Sequence, residues 1–220
     1  MSDKSNKYGY VGVDIPDQSF GANKGVFNPS EINELVADNK WTQYGQLELI
    51  ETLTASGTAT TLDFTNIKQD IYNVHFLTIS DVFFSGTNVL TRLRLSNNGG
   101  TSFISSGYQY AYQSGNNAGT FNENKSNSDS FINLIQNTGN EATEVTNAYV
   151  YFYNLGDSSK YSFLTYHYSG MSSAGTYYQM SYGNGILPTT EQHNAFQIID
   201  GLGTRNINGK FSLYGIREYQ

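Results

Sequence analysis

The 220-residue chain has no cysteine, three prolines and one tryptophan. Without a thiol, a disulfide framework, a thiolate metal site and a cysteine nucleophile are excluded. That absence suits assembly in a reducing cytosol, and a chain this long buries a sizeable core without staples. Charge is scarce too, at 14% of residues against roughly 25% in ordinary globular chains. Lys and Arg total 12 against 19 Asp and Glu, a net charge of -7, and no basic run occurs. A phosphate backbone is held by clustered Lys and Arg, so nucleic acid is not an expected partner. Long apolar runs are missing as well. The densest, Ala148 to Leu155, is interrupted by Asn154 and falls far below the roughly 20 residues that span a bilayer. Met1 to Tyr10 is polar and lacks the apolar stretch of a signal peptide. Neither signal-directed secretion nor membrane insertion is expected.

Catalytic patterns are equally sparse. His75, His167 and His193 are scattered, with no zinc-type spacing among them. There is no Gly-x-Ser-x-Gly elbow, and the glycine-rich stretches lack the lysine of a phosphate-binding loop. Asp14, Asp17, Asp63, Asp81, Asp129 and Asp157 sit at turn-like positions. Turn chemistry accounts for them, and no calcium-loop spacing is present. A carboxylate pair for glycoside hydrolysis meets only in space. Glu48, Glu51, Asp63 and Asp81 are the members to follow, although each also reads as a solvated strand or turn residue. The expectation is a non-enzyme with no catalytic residue, no cofactor and no metal.

What is present is Asn, Gln, Ser, Thr, Gly and 18 tyrosines. Uncharged hydrogen-bonding side chains suit neutral partners such as sugars or another protein. Residues 8 to 26 intersperse Gly, Asp, Pro and Asn with isolated apolar residues, which reads as an extended arm. A short helix follows. Asn28 is the N-cap, Pro29 opens the helix, Glu31 completes a capping box, and Phe27 can staple against Ile32. Ile32, Leu35 and Val36 form one apolar stripe, and the helix ends near Asp38 with Trp41 beyond.

From Gln46 the period becomes two. Strands are predicted over Gln46–Leu53, Ala59–Phe64, Tyr72–Val82, Val89–Leu95, Tyr108–Gln113 and Phe131–Ile135. They continue over Ala148–Tyr153, Tyr161–Tyr168, Thr176–Tyr182, Ala195–Asp200 and Lys210–Ile216. Many short strands with no intervening helical pattern define an all-β chain, here a jelly-roll-like antiparallel β-sandwich over 46–220. Residues 1–45 are its N-terminal arm and helix. The segment Ser114 to Ser130, nearly all Ser, Asn, Gly and Glu, reads as a long loop, functional or disordered.

Tyrosines recur at every second position in Tyr108, Tyr110, Tyr112, in Tyr149, Tyr151, Tyr153, and in Tyr166, Tyr168. Each set shares one strand face as an aromatic ladder. A ladder fills the core or forms a contact surface, where tyrosine offers rigid area with a polar tip. All eight are candidate contact residues.

Three stretches then resemble the small jelly-roll virion proteins of tailed bacteriophages, especially those of marine bacteria and cyanobacteria. They are Gly25-Val26-Phe27-Asn28-Pro29-Ser30-Glu31-Ile32 through Leu35 to Trp41, Leu93-Arg94-Leu95-Ser96-Asn97-Asn98-Gly99-Gly100, and the closing Gly209-Lys210-Phe211-Ser212-Leu213-Tyr214-Gly215-Ile216. The resemblance implies a tail-fibre, receptor-binding or capsid-decoration component, located in the virion and assembled in the host cytoplasm. It implies other virion proteins and copies of the chain, trimers included, as partners, with a host-surface glycan as a further ligand. Attachment would run through Phe27, Ile32, Leu35, Val36 and Trp41. The alternatives are a stand-alone carbohydrate-binding module and, behind it, a polysaccharide-degrading enzyme.

Overall fold

The computed structural model describes residues 27, 29–37, 47–172, 175 and 177–217. The chain divides into two compact units, Met1–Gly45 and Gln46–Gln220.

In the first unit the described element is α1, Pro29–Ala37. Proline suits an opening position because the N–H it lacks has no intrahelical acceptor there. Glu31 in the first turn complements the positive end of the helix dipole. None of the helix's side chains is buried, and Val36 is 54% exposed. The expected cap Asn28, and Trp41, lie outside the described residues.

The second unit is all β: β1 (Leu47–Ser56), β2 (Thr61–Phe64), β3 (Val74–Phe84), β4 (Val89–Ser96), β5 (Tyr108–Asn116) and β6 (Phe121–Asp129), then β7 (Ile132–Thr138), β8 (Thr146–Tyr153), β9 (Ser162–Met171), β10 (Tyr178–Leu187), β11 (Ala195–Asp200) and β12 (Ile207–Ile216). They form two antiparallel sheets. The larger has the order β1-β12-β3-β8-β9-β10-β5-β6 and the smaller β2-β11-β4-β7. Along the chain, β1 to β4 alternate between the sheets, and so do β7, β8, β11 and β12. The hairpins β5–β6 and β9–β10 interrupt this alternation, and both add strands to the large sheet.

The sheets face each other across an apolar core. Phe152 of β8 stacks on Phe196 of β11, with centroids 4.8 Å apart, and Phe196 stacks on Phe64 of β2 at 4.6 Å. Leu77, Ile79, Val150, Leu93, Ile198, Phe211 and Leu213 fill the space around them. In β3 the inward set is His75, Leu77, Ile79, Val82 and Phe84. A bulge keeps it in phase: the register shifts between Ile79 and Val82, and Asp81 takes the left-handed conformation at φ 56°.

All eleven predicted strands are present. The twelfth, β6, lies where a loop was expected. Its sequence FNENKSNSD is polar on both faces, so it carries no alternation. It is the edge strand of a hairpin and has solvent on both sides. Its place is set by backbone pairing to β5, from Tyr108↔Asp129 to Gly115↔Phe121. The lone aromatic there, Phe121, sits over Gly115, where a Cβ would come within 2.8 Å of the ring.

Candidate functional site

Both faces of the large sheet are rich in aromatic side chains, and the face turned away from the core is the unusual one. Strand pairing brings Leu49, Tyr214, Phe76 and Tyr151 side by side across β1, β12, β3 and β8. A second row runs Leu47, Ile216, Val74, Tyr153, Phe163 and Ile186, crossing six strands. The rings touch one another. Phe76 lies 4.7 Å from Tyr151, 6.1 Å from Tyr149 and 6.3 Å from Tyr214, and Tyr149 is 5.7 Å from His167. Leu47, Leu49, Tyr149, Phe163 and Tyr182 are 42–59% exposed. Contiguous exposed apolar surface is uncommon on monomeric proteins.

Beyond Tyr149 the same face sinks into a groove of about 1000 Å3. Its floor is Ala111, Thr165 and Asn184, and its rim carries Tyr149, His167, Tyr182, Gln113 and Glu123. Short side chains make the depression: Thr165, Asn184 and Ala111 pair across β9, β10 and β5, beside the row of longer Tyr149, His167, Tyr182 and Gln113. The rim is wired in sequence. The Tyr182 hydroxyl donates to Gln113 Oε1, and Gln113 Nε2 donates to Glu123 Oε1 at 3.1 Å. A second depression of about 650 Å3, bordered by Gln109 and Ile186, shares Ala111, Lys125 and Asn184 with the first.

Of the three tyrosine ladders, one faces outward. Tyr149, Tyr151 and Tyr153 stand on the open face, whereas Tyr108, Tyr110, Tyr112, Tyr166 and Tyr168 are buried and have no ring face to offer a partner. Tyr108 accepts from the Leu95 amide at 2.7 Å and donates to the Ile104 carbonyl at 3.1 Å. Tyr110 donates to Asp129 at 3.0 Å and accepts from Asn133 Nδ2 at 2.7 Å. Arg92 donates to the same Asn133, at 3.0 Å, and lies 3.5 Å above the Phe131 ring. Burial pushes the phenols of Tyr110 and Tyr112 up to about 12, and those of Tyr108, Tyr166 and Tyr168 up as well. Alternation put each ladder on one face; which face depends on what the sheet packs against. Phe76, Tyr214, Leu47, Leu49 and Phe163 escaped the sequence reading. In β3 the polar-looking His75 points inward while Val74 and Phe76 point outward, the reverse of hydropathy.

The expected attachment residues Phe27, Ile32 and Leu35 are half-buried and Val36 is exposed. Trp41 lies outside the described residues.

Three of the four acids are held in separate structural roles, and Glu51 lies on β1 opposite Leu213. Glu48 is clamped by Arg217 at 2.6 Å and by the Tyr72 hydroxyl at 2.6 Å. Asp63 accepts from Gln197 at 2.8 Å, and Asp81 sits in the β3 bulge. Among the described residues lining the groove, Glu123 is the one carboxylate.

His193, Ser162 and Glu191 come together in the order of a hydrolase triad. Ser162 Oγ is 2.7 Å from His193 Nδ1, and Nε2 is 3.4 Å from Glu191. Ser162 is 1% exposed and His193 is fully buried. The group instead braces the β10–β11 connection against β9, helped by the His193 amide donating to the Leu155 carbonyl at 2.7 Å. Burial lowers the imidazole's pKa, against the opposing pull of Glu191. No group of three or more His, Cys, Asp or Glu is arranged for a metal ion among the described residues, and no helix among them is long and apolar enough to cross a membrane.

Compared with protein-family models, curated proteins and solved structures, the chain matches none.

Proposed function

We propose that this protein is a structural component of a bacteriophage virion, of tail-fibre or capsid-decoration type, whose sandwich is a jelly roll. The jelly-roll reading draws on the strand order. Strands β1-β12-β3-β8 lie opposite β2-β11-β4-β7, and with the two added hairpins set aside the chain changes sheet at every step except β4 to β7, which pair with each other. The observation that carries the contact role is the aromatic outer face centred on Phe76, Tyr151 and Tyr214. A second copy of this chain is the occupant that fits best. The apolar rows cross up to six strands rather than lining one slot, they are aromatic and aliphatic rather than charged, and tyrosine-rich seams are typical of subunit contacts.

The first unit serves attachment in this reading. A nine-residue helix is marginal alone in water, and a helix with an apolar stripe and no buried side chain gains stability by docking. The partners are other virion proteins, the location is the virion, and no catalytic step is involved.

The test is deletion of residues 1–40. The truncated chain should keep the β-sheet circular dichroism and cooperative melting of the full chain, yet fail to enter particles assembled in its presence. Incorporation at the full-length level would defeat the proposal.

A further inference from the structure

We propose that the groove between β9, β10, β5 and β6 is a binding site for a neutral oligosaccharide. This goes beyond the subunit-contact role, since it uses the part of the outer face that the two inserted hairpins add, with Tyr149 of the adjacent β8 at its border.

Three observations converge. The rim offers exposed ring faces, Tyr149 and Tyr182, with His167 between them in the strand register. Aromatic faces bind the C–H faces of pyranose rings, and a half-exposed tyrosine loses little entropy in doing so. Beside the rings stand planar polar groups that match vicinal hydroxyls: Gln113, Glu123 and Asn184. Gln113 and Glu123 are oriented in advance, because they and Tyr182 form one hydrogen-bonded chain. A site already ordered before binding spends less affinity on ordering itself.

Charge and shape narrow the ligand. Glu123 and Lys125 are the one acid and one ammonium among the described lining residues, so they balance and leave no field to gather phosphate, sulfate or carboxylate groups. A nucleotide or an acidic glycan would meet Glu123 with no excess of cations to offset it. The volume falls at the upper end of small-ligand pockets. The adjoining depression shares Ala111, Lys125 and Asn184, so the trough continues along the strands past one sugar ring. That geometry selects a chain of sugars over a monosaccharide.

The experiment uses the full chain on an array of neutral hexose and N-acetylhexosamine oligosaccharides, from mono- to hexasaccharide, with sialylated and sulfated glycans as comparison. Calorimetric titration then follows on the best neutral ligand. Binding to a neutral oligosaccharide is expected, with affinity rising from mono- to trisaccharide. Tyr182→Ala should weaken binding about ten-fold or more. Ala111→Trp, which fills the floor while leaving the rim in place, should abolish it. Both positions are exposed, and unchanged melting midpoints separate loss of binding from loss of fold. Leu49→Arg, on β1 and remote from the groove, should disturb self-association and leave sugar binding unchanged, so failure of the subunit-contact reading and failure of this one are distinguishable. Silence across the neutral glycans, preference for the charged ones, or binding indifferent to Tyr182→Ala and Ala111→Trp would overturn the proposal.

Discussion

Phe152 and Phe196 join the two sheets ring on ring, with centroids 4.8 Å apart and planes inclined by 28°. Phe196 carries a second ring, Phe64, on its other side, and all three are fully buried. Replacing the middle ring removes both contacts at once. Phe196→Ala should therefore cost about 3–5 kcal/mol in denaturant unfolding. A double-mutant cycle of Phe152→Leu and Phe196→Leu should return a coupling of about 0.5–1.5 kcal/mol, whereas strict additivity would mean that the stack contributes only its area.

Acid should weaken the fold through His75. This imidazole is buried inward on β3, holds its Nε2 proton against the Ile67 carbonyl at 2.8 Å, and has its pKa lowered to about 4 by burial. The unfolded chain takes up that proton near 6.5, before the folded one does. Stability is thus complete above pH 6.5, falls as pH drops towards 4, and levels off below. The loss amounts to about 3 kcal/mol from this group. His75→Gln keeps a donor for Ile67 and cannot titrate. Urea titrations at pH 7 and pH 4.5 should show a smaller difference for the variant than for the natural chain, and equal differences would remove His75 as the cause.

The floor of the groove is set from beneath by Tyr166. Its hydroxyl is buried without a protein partner, 2.7 Å from where a Cβ of Gly183 would stand. Tyr166→Phe should leave stability unchanged or raise it by up to about 1 kcal/mol, since no hydrogen bond is lost. Gly183→Ala should cost about 1–3 kcal/mol by overpacking against Tyr112 and the Ala111 carbonyl. Thermal melts of the two variants check both signs.

Much of the architecture was legible in residue order, because eleven strands carry alternation or aromatic enrichment between turn residues. The β6 strand was not, since an edge strand wetted on both faces has no pattern to show and is placed by its partner alone. The contact face was legible only in part. Tyr108, Tyr110 and Tyr112 look the same in sequence as Tyr149, Tyr151 and Tyr153, yet one set packs beneath the smaller sheet's side and the other faces out. Phe76 and Tyr214 were hidden because hydropathy alone assigns such residues to the core. The groove depends on pairing between strands far apart in the chain, Gln113 of β5 with Tyr182 of β10, and on the patternless β6 that brings Glu123 beside Gln113. No local window contains that information.

The most direct measurement is the solution mass of the full chain, by sedimentation velocity or native mass spectrometry, alongside Tyr151→Arg. Tyr151 is central to the outer face and touches Phe76, Tyr149 and Tyr153. An arginine there places an unpaired charge in the proposed seam while leaving the core untouched. The account predicts a closed multiple of the 24.4 kDa chain for the natural sequence and a shift to the single-chain mass for the variant. A natural chain of single-chain mass at every concentration tested, or an oligomer unmoved by Tyr151→Arg, would contradict it.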